Sequence, residues 1–372
     1  MRKIIKMTIL SVFLFGCKDK TEVTAKILIE KTIHVDSKDA VLENLNKIAK
    51  IEAIISLNIP NDKPIGTFDK VLLTKDNYII FDKLTSAVYI FNKNGEFVSK
   101  IAKKGKGPDE YLSIYNISIS LPNIVNIVDT GSQSIKKYNF DGKFLGSKKV
   151  DGWPDDYIEN NSYKYLSIYS SYTNEKEVSY YLSITNGTNK KGYFPFKEMI
   201  KKTQDNSSVL FTDNNSNVFC RPHYDDAIYR LNGDQIKIAY KIDFGKSAFP
   251  TEKMLETKSI EEVNNLLQKE NYVGDINNIH ITDQWLFFQY GIQNIHQSNT
   301  YIKNLKTNKI IHYFGLIPIE GINLTPIASD KHFFYSLLNT WQLPDKILTN
   351  INAKYGTKLT KDSNVLMKYN YK

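Results

Sequence analysis

Hydrophobic and polar positions along this chain follow a pattern that occurs twice. Residues 80–99 (IFDKLTSAVYIFNKNGEFVS) align without a gap on residues 127–146 (IVDTGSQSIKKYNFDGKFLG). Asp82 therefore falls on Asp129, 47 positions later, and apolar residues fall on apolar residues along most of the alignment. A period of this length is typical of repeat folds, in which each repeat is one small supersecondary unit.

The alternation within the first repeat predicts four short strands, at Phe68–Thr74, Tyr78–Asp82, Ala87–Phe91 and Phe97–Ile101. An Asn-Gly pair joins the last two strands, as in a type I′ hairpin, which needs positive φ at both central residues. The same turn signal recurs along the chain, and its four glycines are 47, 45 and 46 residues apart: Gly95, Gly142, Gly187 and Gly233. This spacing predicts four successive four-stranded units.

The regular spacing of the repeats is then interrupted by an insertion. A fifth turn, ending at Lys309, lies 76 residues beyond Gly233, which is longer than one repeat. The surplus contains Pro250–Tyr272, the most helical stretch of the chain, where Ser259 and Glu262 fit a capping box. We predict a helical insertion (residues 250–272) between units four and five, and the remaining sequence is long enough for a sixth unit.

Strands such as Ala87–Phe91 are apolar on both faces, so each sheet needs a neighbour on both sides. Four-stranded units of this kind are stable when they are arranged radially. We therefore predict an all-β fold, a six-bladed β-propeller over residues 26–372. A strand predicted at Ile51–Leu57 would complete the last blade and join the two chain ends. Two separate sandwiches are the structural alternative, and Ser37–Ala49 has the periodicity of a short helix.

The N-terminus has the form of a secretory signal. Residues 1–16 carry basic residues and then an apolar run, Met7–Phe15, that is too short to span a bilayer. The run ends in Leu14-Phe15-Gly16-Cys17, which resembles the lipobox of bacterial lipoproteins and implies that Cys17 is lipidated. We predict a signal peptide at 1–16, a lipidated Cys17 with a tether at 17–25, and an outer-membrane lipoprotein of the cell envelope. A cleaved signal with an unmodified cysteine is the alternative.

A longer resemblance rests on the stretch Gly105-Lys106-Gly107-Pro108-Asp109-Glu110-Tyr111. Together with the lipobox and VYIFNKNGEF, this stretch resembles the six-bladed β-propeller lipoproteins of Bacteroidetes, which are related to NHL-repeat propellers. The later Asp226–Tyr229 and Asn364–Met367 are similar to further motifs of that family. Lys106 and Asp109 depart from its usual Gln and Gly. The resemblance implies the fold and a location at the membrane, and it implies little about activity.

Charge indicates which classes of partner the chain can bind, and cysteine content indicates whether it can form a disulfide. Of 49 basic residues, three (Arg2, Lys3 and Lys6) lie in the signal peptide, and the other 46 are scattered among 40 acidic residues. A nucleic-acid-binding protein more often has a basic stripe, so we predict no nucleic-acid partner. If Cys17 is lipidated, Cys220 has no partner for an intramolecular disulfide, and we expect it to be buried and inert.

Two clusters are candidate binding sites. Lys106, Asp109, Glu110 and Tyr111 offer charges of both signs on a glycine-rich loop. The alternative, which we favour, is a connector between blades in which Glu110 and Tyr111 bond to the backbone.

The second cluster places Arg221, His223 and Tyr224 beside one another. Arg221 would hold an anionic ligand at one mouth of the propeller through a bidentate contact. The favoured alternative is again a polar loop.

Asp82 and Asp129 occupy equivalent strand ends, which indicates a role in turning the chain.

No arrangement of residues predicts catalysis. The chain has no Gly-x-Ser-x-Gly motif, and its six histidines lack short metal-ligand spacing; we predict no catalytic residue, metal or cofactor. The first hypothesis is a non-enzymatic module that binds a ligand or an envelope protein. The alternatives are a lyase or hydrolase with its site at the mouth of the central channel, and a structural subunit of an envelope assembly.

Overall fold

The fold is given by a computed structural model of the chain. The residues it describes are 29–60, 65–150, 152–170, 180–195, 209–213, 215–222, 225–250, 253, 259–269, 271–292, 297–318 and 322–372. The predicted signal peptide (1–16) and the Cys17 tether (17–25) lie outside these residues. Within them, no helix combines the length and the apolar character needed to cross a lipid bilayer.

Strands dominate the described chain. In order they are β1 (Ile29–His34), β2 (Val41–Asn44), β3 (Ala49–Leu57), β4 (Lys70–Leu73), β5 (Asn77–Asp82), β6 (Ala87–Asn92), β7 (Phe97–Ile101), β8 (Asn116–Ser120), β9 (Ile124–Asp129), β10 (Ser134–Asn139), β11 (Phe144–Lys149), β12 (Trp153–Asn160), β13 (Tyr163–Ser170), β14 (Tyr180–Asn186), β15 (Asn189–Pro195), β16 (Leu210–Thr212), β17 (Val218–Cys220), β18 (Ala227–Asn232), β19 (Gln235–Asp243), β20 (Val273–Ile281), β21 (Trp285–Ile292), β22 (Gln297–Asn304), β23 (Ile310–Ile317), β24 (Ala328–Ser329), β25 (Phe334–Asn339) and β26 (Asn364–Tyr371). The described α-helices are α1 (Leu45–Ile48), α2 (Ile260–Lys269) and α3 (Asp345–Tyr355), and 3-10 turns lie at Ser37–Asp39, Gly245–Ser247 and Thr340–Gln342.

The strands form six sheets, one for each predicted blade. Blades 1 to 5 are β4–β7, β8–β11, β12–β15, β16–β19 and β20–β23, and blade 6 is β24–β25–β26–β3. Apolar clusters fill the seam between each blade and the next, including a cluster that joins blade 6 to blade 1. Sheets that are apolar on both faces are thus covered on both sides by closing into a ring, and the predicted six-bladed propeller is confirmed.

The ring is closed by pairing the two ends of the chain. β3 runs antiparallel to β26, with register partners from Leu57 and Asn364 to Ala49 and Tyr371. This confirms the predicted closure, and it leaves the sixth sheet with a full set of four strands. The early chain also adds outer strands to two other blades, because β1 pairs with β19 and β2 pairs with β23, both in parallel.

The helix predicted at Ser37–Ala49 is wrong over most of its length. Only α1 is helical there, and Val41 and Leu42 instead lie in β2, where they pair with β23. Their apolar side chains remain exposed, at 49% and 57%. The spacing that indicated a helical face therefore comes from an edge strand, whose backbone groups gain partners from blade 5.

The hairpins form at the predicted glycines, but the turns of blades 1 and 2 are not the predicted type I′ turns. Gly95 and Gly142 have φ of +81° and +79°, whereas the Asn94 and Asp141 before them are not in the left-handed region. Gly95 N donates to Asn92 O at 3.0 Å, and the strand register shifts beside the turn. The turn is thus a type I turn followed by a glycine bulge, because only one residue has positive φ.

The predicted helical insertion is confirmed. α2 lies between blades 4 and 5, and Ser259 Oγ accepts a hydrogen bond from Glu262 N at 3.2 Å, as a capping residue does. None of the described residues of the insertion lines the central channel. α3 ends at Gly356, whose φ of +65° is the expected left-handed cap.

Candidate functional site

The innermost strands of the six blades surround a central channel with a volume of about 1560 Å³. Its wall includes residues of β4, β8, β12, β16, β20 and β24, and the cavity also extends sideways between blades 6 and 1, as far as Ala53 and Ile55 on β3. A cavity of this size can enclose a small ligand. Three sets of hydrogen-bonded polar groups at this wall each connect neighbouring blades.

The first set is centred on Asp156 of blade 3. Lys70 Nζ donates to Asn116 Oδ1 at 2.7 Å and lies 3.8 Å from Asp156 Oδ1, to which Asn116 Nδ2 also donates. Asp156 Oδ2 accepts from Val209 N at 2.6 Å and from Leu210 N at 3.1 Å. Burial lowers the pKa of Lys70, although Asp156 opposes the shift. One carboxylate therefore links blades 1 to 4 and holds a partly desolvated ammonium group at the channel wall.

The second set connects blades 4 and 5. Arg221 is 1% exposed, and both terminal nitrogens of its guanidinium donate to the Asp275 carboxylate, with Nη2 to Oδ2 at 2.9 Å. Nη1 also donates to Pro222 O at 3.1 Å. The bidentate contact that we predicted for Arg221 thus goes to Asp275 within the chain.

The third set connects blades 5 and 6 through His280. Asn278 Nδ2 donates to Gln289 Oε1 at 2.9 Å and to Pro326 O at 3.0 Å, so Asn278 Oδ1 faces His280 Nε2 at 2.8 Å. Nε2 must then carry the proton, and Nδ1 can accept from Ser329 Oγ at 3.3 Å. Burial lowers the pKa of His280 to about 4, so the imidazole is neutral near pH 7.

The loop Gly105–Tyr111 lies away from these sets and does not line the channel. Glu110 Oε2 accepts from Gly107 N at 2.7 Å, and Tyr111, which is fully buried, donates to Ser86 O at 2.6 Å. A Cβ on Gly105 would lie 2.0 Å from Glu110 Oε2. The loop is a compact connector between β7 and β8, because its glycines make room for the Glu110 side chain.

The predicted site residues are therefore dispersed. Arg221 lines the channel, Asp109 pairs with Lys103 at 3.2 Å on the connector, and Lys106 is exposed. His223 and Tyr224 lie outside the described residues. Sequence reasoning missed the channel residues Lys70, Asn116, Asp156 and His280, and it missed Asp275, which binds Arg221. Polar residues on the innermost strand of each repeat were the signal that could have identified several of them.

Two other sequence predictions concern single residues. Asp82 and Asp129 are both fully buried, and each carboxylate binds the connector before its blade and the turn after its strand. Their predicted role in turning the chain is confirmed. Cys220 is a buried free thiol, as expected, and burial raises its pKa. Within the described ranges, His, Cys, Asp and Glu form no group of three that could hold a metal ion.

Six blades, a closed ring and a polar channel define the class of protein as a six-bladed β-propeller. Residues 32–368 match a family described as a domain of unknown function, DUF4934, and the chain belongs to that family. Among curated proteins, no sequence matches this chain.

Two crystal structures share the fold. One is a Bacteroides fragilis protein described as exported, which is 18% identical and superposes with a TM-score of 0.72, over 92% of this chain and 99% of its own. The other is a DUF4221 family member from Bacteroides vulgatus, which is 10% identical with a TM-score of 0.52, over 88% of this chain and 99% of its own. At these identities the likeness concerns the fold alone.

Proposed function

We propose that this chain is a lipid-anchored propeller of the cell envelope that binds a ligand without chemical change. The observation that carries the proposal is the 1560 Å³ channel, whose wall holds polar groups from all the inner strands. The Cys17 motif supports the lipid anchor, and the exported Bacteroides fragilis protein with the same fold supports an envelope location. Small-molecule sites are concave and largely preformed, with a few fixed polar groups.

The channel groups are fixed before any ligand arrives. Asp156 is held by two backbone amides and by Asn116, and Arg221 is held by Asp275. Groups whose positions are set by the protein cost little ordering entropy when a ligand binds. Since they come from different blades, the site depends on ring closure, and a bound ligand would contact several blades together.

Hydrolysis is the second candidate, and one observation favours it. Ser329, His280 and Asn278 form a hydrogen-bonded chain in the channel wall in which the imidazole can accept the serine proton. The pKa of His280, about 4, makes it a weak base at pH 7, because efficient general bases have a pKa near the working pH. Asn278 is neutral and would stabilise an imidazolium less than a carboxylate would. We therefore favour binding over hydrolysis.

The binding proposal is tested by calorimetric titration of the purified full chain with a panel of oligosaccharides and peptides. A channel ligand should lose affinity when Lys70 is replaced by Met, and it should keep its affinity in Lys100→Met, whose lysine does not line the channel. A panel in which every ligand binds both variants equally would overturn the proposal. In parallel, turnover of p-nitrophenyl acetate that is abolished by Ser329→Ala would favour the hydrolase.

A further inference from the structure

A cleft opens at the seam between blade 6 and blade 1, continuous with the channel. We define the seam cleft by Lys93, Tyr78, Lys368, Phe333 and Tyr335, all of which line the cavity. Lys93 Nζ lies 4.2 Å from the centre of the Tyr78 ring, and Lys368 Nζ lies 4.0 Å from the centre of the Phe333 ring. The Tyr78 and Tyr335 rings meet edge to face at 6.0 Å. Both ammonium groups thus lie over aromatic rings, and both line the same cavity.

Within the described residues, neither of these two cations forms an ion pair, because no carboxylate oxygen lies within 4.0 Å of Lys93 Nζ or Lys368 Nζ. The nearby Asp330 is already bonded, since it accepts from Tyr335 Oη at 2.5 Å and from two backbone amides at 2.8 Å and 2.9 Å. These donors are neutral, so Asp330 keeps its negative charge, and the two ammonium groups together with Asp330 leave a net positive charge in the cleft.

The electrostatics of Lys93 agree with this geometry. Burial lowers the pKa of Lys93 to about 8, and repulsion from Lys368 adds to the shift, whereas Asp330 and Asp76 oppose it. Lys93 and Lys368 line the same cavity, and the repulsion between their ammonium groups is weaker than the attraction of Lys93 to Asp330. An anion between them would remove that repulsion, and each lysine can donate as many as three hydrogen bonds to it.

We infer that the seam cleft binds a phosphate or sulfate group between Lys93 and Lys368, and that this group belongs to the ligand of the channel. The inference rests on the proposed binding function and names the chemistry of its ligand. A tetrahedral anion matches two cations that approach from different blades, because each lysine can bond to a different terminal oxygen of the group. The anion would also bridge blades 1 and 6, which adds to the closure of the ring by β3 and β26.

The test is calorimetric titration of the full chain at constant ionic strength in chloride, with five probes. These are inorganic phosphate, inorganic sulfate, glucose 6-phosphate, glucose 6-sulfate and glucose. Phosphate and sulfate should bind, and Lys93→Met or Lys368→Met should weaken binding about tenfold or more, as expected for loss of a charge-assisted hydrogen bond. Lys93→Arg should retain most of the affinity, because it keeps the charge.

The matched control is Lys100→Met. Lys100 Nζ also lies over a tyrosine ring, 4.7 Å from the centre of Tyr89, but it does not line the cavity. This variant should bind both anions like the wild type. Tighter binding of glucose 6-sulfate or glucose 6-phosphate than of the free anion would support a group that is carried on a larger ligand. Equal affinities would overturn that part of the inference.

Several outcomes would overturn the inference. Absence of phosphate and sulfate binding to the wild type would do so, as would equal anion affinity in the wild type and in both methionine variants. Unfolding temperatures measured for every variant separate loss of binding from loss of structure, and Lys368→Met provides a second test if Lys93→Met unfolds. A channel ligand that Lys70→Met weakens and Lys93→Met does not would leave the proposed function standing while the inference fails.

Discussion

Replacement of Asp82 by Ala should cost the propeller several kcal/mol, because this carboxylate holds two segments of blade 1 together. Asp82 is fully buried; Oδ2 accepts from Gly66 N at 2.7 Å, and Oδ1 accepts from Thr67 N at 3.2 Å and Thr85 N at 3.1 Å. A hydrogen bond to a charged group contributes about 1.5–3 kcal/mol. Because Gly66 and Thr85 are exposed residues, water can replace part of what their amides lose, and we expect a total loss of about 3 kcal/mol.

The assay is equilibrium urea unfolding, with the free energy of unfolding taken from the linear extrapolation. Asp129→Ala should cost a similar amount, because Asp129 accepts from Leu112 N at 3.1 Å and Ser113 N at 3.0 Å in the equivalent place of blade 2. Asp76→Ala, at an exposed turn of blade 1, is the control and should change stability by less than about 0.5 kcal/mol.

The pH dependence gives a second measurement on Asp82. Burial raises its pKa, but hydrogen bonds from Thr85, Gly66 and Thr67 outweigh burial and hold the pKa below the ordinary 3.8. A folded-state pKa that is depressed contributes stability above the unfolded pKa, and that stability is lost as the pH falls through the folded value. The difference between wild type and Asp82→Ala should therefore shrink below pH 4. A loss under about 1 kcal/mol at pH 7, or a difference that does not change in acid, would refute the reasoning.

Three further predictions concern single positions. Gly95→Ala should destabilise the chain more than Gly187→Ala, by urea unfolding, because both have positive φ but only at Gly95 would the new Cβ lie 2.0 Å from Ser56 O. Cys17→Ser should move the protein from the membrane fraction to the soluble fraction after cell lysis, and retention in the membrane would contradict the anchor. The pKa of His280 falls from about 6.5 to about 4 on folding, so wild-type stability should fall as the pH drops through this interval, whereas His280→Gln should show a flatter dependence between the same limits.

The blades were predictable because their constraints are local and repeated. The predicted strand Phe97–Ile101 coincides with β7, and Ala87–Phe91 matches β6 to within one residue, since both segments are rich in apolar residues and an Asn-Gly turn joins them. Closure by Ile51–Leu57 followed from the need to pair an open edge. The helix prediction at Ser37–Ala49 was wrong because the local sequence gives no sign of the strand that β2 pairs with. That strand belongs to blade 5, about 270 residues later along the chain.

The channel site was harder to predict because its groups meet across repeats. Lys70 contacts Asn116 over 46 positions, and Asn116 contacts Asp156 over 40. No local motif contains these pairs, and their meeting depends on the strand register in three blades. Arg221 was recognised by its chemistry, but its partner Asp275 lies beyond the insertion, 54 positions away. The glycine-rich loop attracted a functional interpretation because glycine permits close approach; here it permits the approach of Glu110.

The repeat itself separates structural residues from candidate binding residues. Asp82 and Asp129 are equivalent and identical, and both serve the fold. Lys93 and Phe140 are also equivalent, 47 positions apart, but they differ. Phe140 is 7% exposed and belongs to the apolar cluster between blades 1 and 2, whereas Lys93 stands at the same turn facing blade 6 and lines the cavity. A lysine at this position buries less apolar surface than the phenylalanine ring at the equivalent position of the neighbouring seam. An anionic ligand gives a physical reason for the lysine.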